Sequence, residues 1–187
     1  MMSARQLASS LWGVWLLLRW DSSGFAFFDR SFSGFRGSYL VAIALAPVHA
    51  AHWYITYPPS IGKVPFAVHM FTEFLSYVMS WTAYPLAMVY VARLIDRDNR
   101  YFDYMVAYNW FQIALVGMWL PIALLDDINV LDPQSASFLG LIVLGVGIAY
   151  GVFLARQALL VSTLTGVGLV LIDILVTTLI SQVIGLV

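Results

Sequence analysis

Residues 136–155 read Ala-Ser-Phe-Leu-Gly-Leu-Ile-Val-Leu-Gly-Val-Gly-Ile-Ala-Tyr-Gly-Val-Phe-Leu-Ala, a stretch without a single charge. A helix crosses a hydrocarbon core of roughly 30 Å with about 20 apolar residues, and this run meets that length. Its apolar positions, Leu139 to Val146 above all, lie on every side of a helix. Strands of a membrane barrel would alternate apolar and polar residues instead. The stretch therefore reads as a transmembrane helix.

Four further runs of the same kind flank it, at about 37–57, 64–92, 101–125 and 159–187. The connections are short. Pro58, Pro59 and Gly62 break the chain after the first span, and Asp96 to Arg100 separate the second from the third. Asp126, Asp127, Asp132 and Pro133 precede the fourth span, and Arg156 with Gln157 marks the turn into the fifth. No linker can hold a second domain. The expected fold is all-α, a single polytopic membrane bundle over 1–187.

Composition agrees. Of 187 residues 61% are hydrophobic and 10% charged, whereas soluble domains carry about a quarter charged residues. Disorder needs low hydrophobicity and is excluded. A net charge of −1 without a basic block argues against nucleic acid. The chain has no cysteine, and so no disulfide or thiolate metal site.

Residues 4–20 are too short to span. At 100° per residue Arg5, Gln6, Ser9, Ser10 and Gly13 fall on one side, while Leu7, Leu11, Trp12, Val14, Trp15 and Leu18 fall on the other. That pattern predicts an amphipathic helix lying in the membrane interface. A secretory signal is the rival, but Arg19 and Asp21 follow in place of a small-residue cleavage site, so the segment is expected to be retained.

The basic residues set the orientation. Arg5, Arg19, Arg30, Arg36, Arg93, Arg97, Arg100 and Arg156 fall on one side and Lys63 alone on the other. The positive-inside rule then predicts a cytoplasmic N-terminus and an external C-terminus. Trp53, Tyr54 and Tyr57 at one end and Tyr101 and Tyr104 at the other form aromatic belts.

Ionisable groups within spans cost about 2.5–3.5 kcal/mol each on insertion scales and call for a reason. Glu73 and Asp173 are such groups, and with His49, His52 and His69 they fall in the outer half of the bilayer. His69, Glu73, Tyr77, Ser80 and Tyr84 form one helical stripe; Ser162, Gly166, Asp173, Thr177 and Ser181 form another. Asn109 and Gln112 add a third polar pair. These stripes are expected to face inward, since lipid cannot satisfy them.

Two chemistries fit. His49, His52, His69 and Glu73 stand at spacings that could converge on a transition metal, and Glu73, Asp173, Asn109 and Gln112 could line a proton or solute path. The alternative is packing, with the histidines at headgroup level and the acids hydrogen-bonded inside the bundle. Pro47, Pro85 and Pro121 would kink their helices. Gly147 and Gly151 form a G-x-x-x-G step, expected to pack the fourth span on the fifth or on another subunit.

Arg19-Trp20-Asp21, Gly24-Phe25, Phe28-Asp29 and Gly34-Phe35, with Trp81-Thr82-Ala83-Tyr84-Pro85 and Tyr108-Asn109-Trp110, resemble phrases of a group of small, largely uncharacterised inner-membrane proteins of proteobacteria. That resemblance implies an inner-membrane location and supplies no catalytic residues. In topology alone, five spans with the N-terminus inside, the chain also resembles the Yip1 family of membrane-organising proteins. No hydrolase elbow, P-loop, dinucleotide fold or zincin helix occurs. The sequence thus predicts a non-enzymatic accessory, assembly or scaffold subunit. It would act through helix contacts with a membrane-protein partner or a second copy of itself. The other expectation is a small transporter or channel for protons, metal ions or a small solute.

Overall fold

A computed structural model describes residues 3–57 and 65–184. Among them are seven helices: α1 (Ala4–Leu18), α2 (Phe32–Ser38), α3 (Leu40–Thr56), α4 (Phe66–Leu94), α5 (Tyr101–Asp127), α6 (Pro133–Leu159) and α7 (Thr163–Ile184). No strand occurs among the described residues. Five candidate spans are long and apolar enough to cross a membrane, the first being α2 and α3 taken together. The expected first connection, with Pro58, Pro59, Gly62 and Lys63, and the last three residues of the fifth span lie outside the described residues.

The helix ends depart from expectation in a consistent way. α5 runs on through Asp126 and Asp127, and α6 through Arg156 and Gln157. Charge excludes a residue from hydrocarbon but not from a helix. These side chains occupy the last turns of helices of 27 residues, about 40 Å each and so longer than the hydrocarbon is thick. The turn into α7 falls instead at residues 160–162. Leu160 takes a left-handed conformation, and the Ser162 hydroxyl accepts the Thr165 N–H at 3.1 Å.

The shift moves Asp173. It stands ten residues, about 15 Å, from the start of α7 and eleven before Ile184, the last described residue. The helices also run through Pro47, Pro85 and Pro121 without breaking.

α6 is started by Asp132. Its carboxylate accepts the Ser135 hydroxyl at 2.6 Å and the N–H groups of Ser135 and Gln134 at 3.0 and 3.1 Å. Those bonds, the hydroxyl first, hold the carboxyl below its ordinary value of 3.8. A group lowered by folding stabilises above its ordinary value and loses that contribution as pH falls through its folded value. Asp132→Ala should therefore unfold at lower temperature than the wild type at neutral pH. The gap should close below pH 3.8; an unchanged gap in acid would contradict the cap.

The α6–α7 pairing is set by glycine. A Cβ on Gly151 would come within 2.8 Å of Val170 Cγ2, and one on Gly166 within 3.3 Å of the Val152 carbonyl. Gly147 looks instead toward Leu115 of α5, and Gly168 meets nothing within 4 Å.

The N-terminal segment is a packed layer at one end of the bundle. Ser10, Gly13, Val14 and Leu17 of α1 are buried, while Leu7, Leu11, Trp12 and Trp15 are exposed. Gly13 meets Gly24 of the 3₁₀ turn Ser22–Phe27 backbone to backbone. Trp20, left-handed at φ 60°, stacks on Tyr150 with ring centres 4.1 Å apart, and the Tyr150 hydroxyl donates to the Leu18 carbonyl. Arg30 and Arg100 both pair with Asp103, at 3.6 and 3.5 Å, and Arg100 also donates to the Ala158 carbonyl at 3.2 Å. These contacts gather the α1–α2 layer, the α4–α5 turn and the α6–α7 turn at one end. All eight arginines belong to that end.

Candidate functional site

Asp173 does not face Glu73. The Tyr84 hydroxyl of α4 donates to the Leu169 carbonyl of α7 at 3.4 Å, which fixes the relative height of these two antiparallel helices. Asp173 lies four residues beyond Leu169 and Glu73 eleven beyond Tyr84, both away from the arginine-rich end, a difference of about 10 Å along the helix axes. Glu73 is half-buried. The expected path joining the two acids is not formed.

What surrounds Asp173 is tyrosine. The Tyr108 hydroxyl donates to its carboxylate, 3.0 Å from each oxygen. The Tyr84 and Tyr104 hydroxyls bond each other at 2.8 Å, and the ring of Tyr84 lies 4.9 Å from that of Tyr108. Tyr84 and Tyr104 are buried, and Tyr108 and Asp173 half-buried.

Asp173 and Tyr108 line a cavity of about 290 Å³ between α5, α6 and α7. Gln112 shares its wall, so of the expected path residues Asp173 and Gln112 meet here. Phe111, Leu115 and Trp119 of α5 and Leu144 and Gly147 of α6 supply much of the remaining surface. Gly147 contributes by having no side chain to fill it.

Asn109 stands apart from this cavity. It is fully buried, and its amide donates to the Ser38 hydroxyl at 2.8 Å, which in turn donates to the Phe35 carbonyl at 2.7 Å. Its role is to fix the α2–α3 joint against α5. The stripe expected on α7 also ends early, because Thr177 and Ser181 are exposed and Ser181 returns its hydroxyl to Thr178 of its own helix.

The histidines do not converge. Among the described residues no three His, Cys, Asp or Glu side chains gather as metal ligands would. His49 lies among Tyr77, Trp53 and Trp119, with ring centres 5.0, 6.0 and 6.1 Å away. His52 sits edge-on to Trp119, its Nδ1 3.1 Å from the Asp127 carboxylate, close enough to pair but off the hydrogen-bond direction. His69 Nε2 lies 3.4 Å from the Trp53 carbonyl, and its ring is 5.2 Å from that of Tyr57. Each imidazole thus has aromatic rings as its neighbours. Trp119 belongs to both groups and separates the histidines from the cavity.

Tyr104, Tyr108, Phe111 and Trp119 are the site residues that sequence reasoning missed. The signal was present: Tyr104, Tyr108 and Gln112 recur at steps of four along one face of α5. Tyr104 reads more readily as part of an interfacial belt. No protein-family model, curated protein or solved structure matches this chain.

Proposed function

We propose that this membrane protein binds a small cation in the cavity between α5, α6 and α7 and passes it across the bilayer, the cation being a proton or a compact organic ammonium. The observation that carries this reading is Asp173, set within the candidate span α7 in the cavity wall with Tyr108 as its hydrogen-bond donor. A carboxylate has about four lone-pair sites, and one hydroxyl leaves most of them open. A cation entering the cavity would supply the missing charge, and the faces of Phe111 and Trp119 would attract it further. One carboxylate among aromatic and aliphatic walls suits such a ligand better than a metal ion, which takes four or more ligands.

The eight arginines at one end favour placing that end in the cytoplasm, with the N-terminus inside and the C-terminus outside. The sequence resemblance favours the inner membrane. The exposed Leu7, Leu11, Trp12 and Trp15 suit α1 to the lipid interface as an amphipathic helix. Nothing in the site calls for bond-making chemistry, and the reading is non-enzymatic.

A hydrophobic carbodiimide tests accessibility of the acid. Mass spectrometry should find the adduct on Asp173, and saturating tetraethylammonium should slow its formation by at least about tenfold, as occupancy of a shared site requires. A rate indifferent to the cation would contradict a shared site.

A second reading is the accessory, assembly or scaffold subunit. It is favoured by Gly140 and Gly145 of α6 and Gly168 of α7, beside which no atom lies within 4 Å, so that a partner helix or a second copy could approach closely. Copurification in mild detergent tests it, and a strictly solitary monomer would count against it.

A further inference from the structure

A second concavity lies at the arginine-rich end. It holds about 630 Å³ between α1, the loop at Asp29, α2 and the first turns of α5. Arg5 and Gln6 come from α1, Ser33 and Arg36 from α2, and the floor is the buried pair Val106 and Trp110.

Its arginines are unspent. Arg30 and Arg100 share Asp103, whereas Arg5 has no ion pair or hydrogen bond among the described residues. Arg36 lies over the ring of Phe32 at 5.9 Å and has no carboxylate partner there. The one acid of the crevice, Asp29, turns an oxygen back onto the Ser31 N–H at 3.1 Å. Two guanidinium groups and one carboxylate leave a single positive charge in the crevice.

Depth narrows the ligand. Val106 and Trp110 are five and nine residues from the start of α5, about 8–13 Å from its end. Helices about 40 Å long overhang a core of roughly 30 Å, so this is the level of lipid headgroups and the first acyl carbons. Phe27 in its wall and Phe32 beneath the Arg36 guanidinium are exposed, as residues bordering an interface are.

We propose that the crevice binds the phosphodiester of a membrane phospholipid, with Arg5 and Arg36 gripping the phosphate and the acyl chains lying over the exposed rings of Phe27 and Phe32 at its rim. Guanidinium forks match phosphate oxygens, and basic pockets between helices at a membrane surface take lipid headgroups. The net charge of the crevice balances that of one phosphodiester. A soluble phosphoester offers the same anion without chains, and only the lipid also uses the apolar rim.

The test is native mass spectrometry of the detergent-purified, delipidated protein titrated with phosphatidylglycerol, with glycerophosphoglycerol and with inorganic phosphate. The wild type should bind one phosphatidylglycerol, and an Arg5→Gln/Arg36→Gln double variant at least about tenfold more weakly, as loss of two charge-assisted contacts implies. Arg93→Gln, at the same end but outside the crevice, should bind as the wild type does. Both crevice arginines are exposed, and circular dichroism should show the double variant folded. Equal lipid affinity in the double variant would overturn the site. Binding of glycerophosphoglycerol or phosphate as tightly as the lipid would overturn the membrane source.

Discussion

Gly24→Val should release the N-terminal layer from the bundle. A Cβ at Gly24 would stand 2.6 Å from the Gly13 carbonyl oxygen and 3.0 Å from Leu17 Cγ. The reciprocal contact, Gly13 Cβ to the Gly24 carbonyl, is 2.8 Å. The obstacle is backbone, which no rotamer change can move aside, so α1 must shift away from the 3₁₀ turn. Overpacking of this kind costs about 1–3 kcal/mol. A full separation would uncover Val14, Leu17, Phe25 and Phe28, at about 1.5–3 kcal/mol for each side chain exposed to water. Trp20 would then lose its stack on Tyr150, which helps to hold its left-handed backbone. Protease cleavage between α1 and α2 should accelerate by at least about tenfold, the factor that 1.4 kcal/mol of local opening implies. Gly140→Ala is the control, because open space surrounds that position. Cleavage at the wild-type rate in the valine variant would show that the two glycines are not in register.

The five spans were legible because hydrocarbon demands long apolar runs, and Leu139 to Val146 or Leu169 to Ile172 leave no other reading. Their ends were harder to place. Asp126, Asp127 and Arg156 mark where the oily region stops, yet the helices continue past it, since a charged residue in a final turn is solvated as readily as one in a loop. The division of the first span at Tyr39 was likewise hidden, although Ser31, whose hydroxyl accepts the Gly34 N–H at 3.2 Å, starts α2 as an ordinary cap would.

The candidate site was half legible. Asp173 declared itself by its charge and Gln112 by its amide. Their neighbours Tyr104 and Tyr108 are at home equally in a membrane interface, a core or a binding site, and only the fold, which sets Tyr108 against Asp173 of α7, distinguishes these. His49 and His52 share a helical face, as their spacing requires, but spacing says nothing of Trp119, which stands against both rings. Asn109 was assigned to the same path as Gln112 because the two are three residues apart. Three steps of about 100° leave them only about 60° apart around the helix, so spacing groups them, and it is their neighbours, Ser38 beside Asn109 and the cavity beside Gln112, that separate their roles.

The largest functional effect should come from Asp173→Asn. The amide keeps the size of the side chain and can still accept the Tyr108 hydroxyl, so the bundle should fold and its thermal stability should stay close to that of the wild type. What it removes is the charge facing the cavity. A cation bound there loses the one carboxylate among the described residues of the cavity wall, and a proton loses its acceptor. Glu73→Asn should by contrast leave the activity in place, because Glu73 lies about 10 Å further from the arginine-rich end on α4. The decisive measurement is the flux of protons and of tetraethylammonium into vesicles reconstituted with wild-type or Asp173→Asn protein at equal density. A wild-type flux of either cation that falls to the level of protein-free vesicles in the variant is the predicted result. Fluxes of both cations that are the same in the two preparations would contradict the assignment.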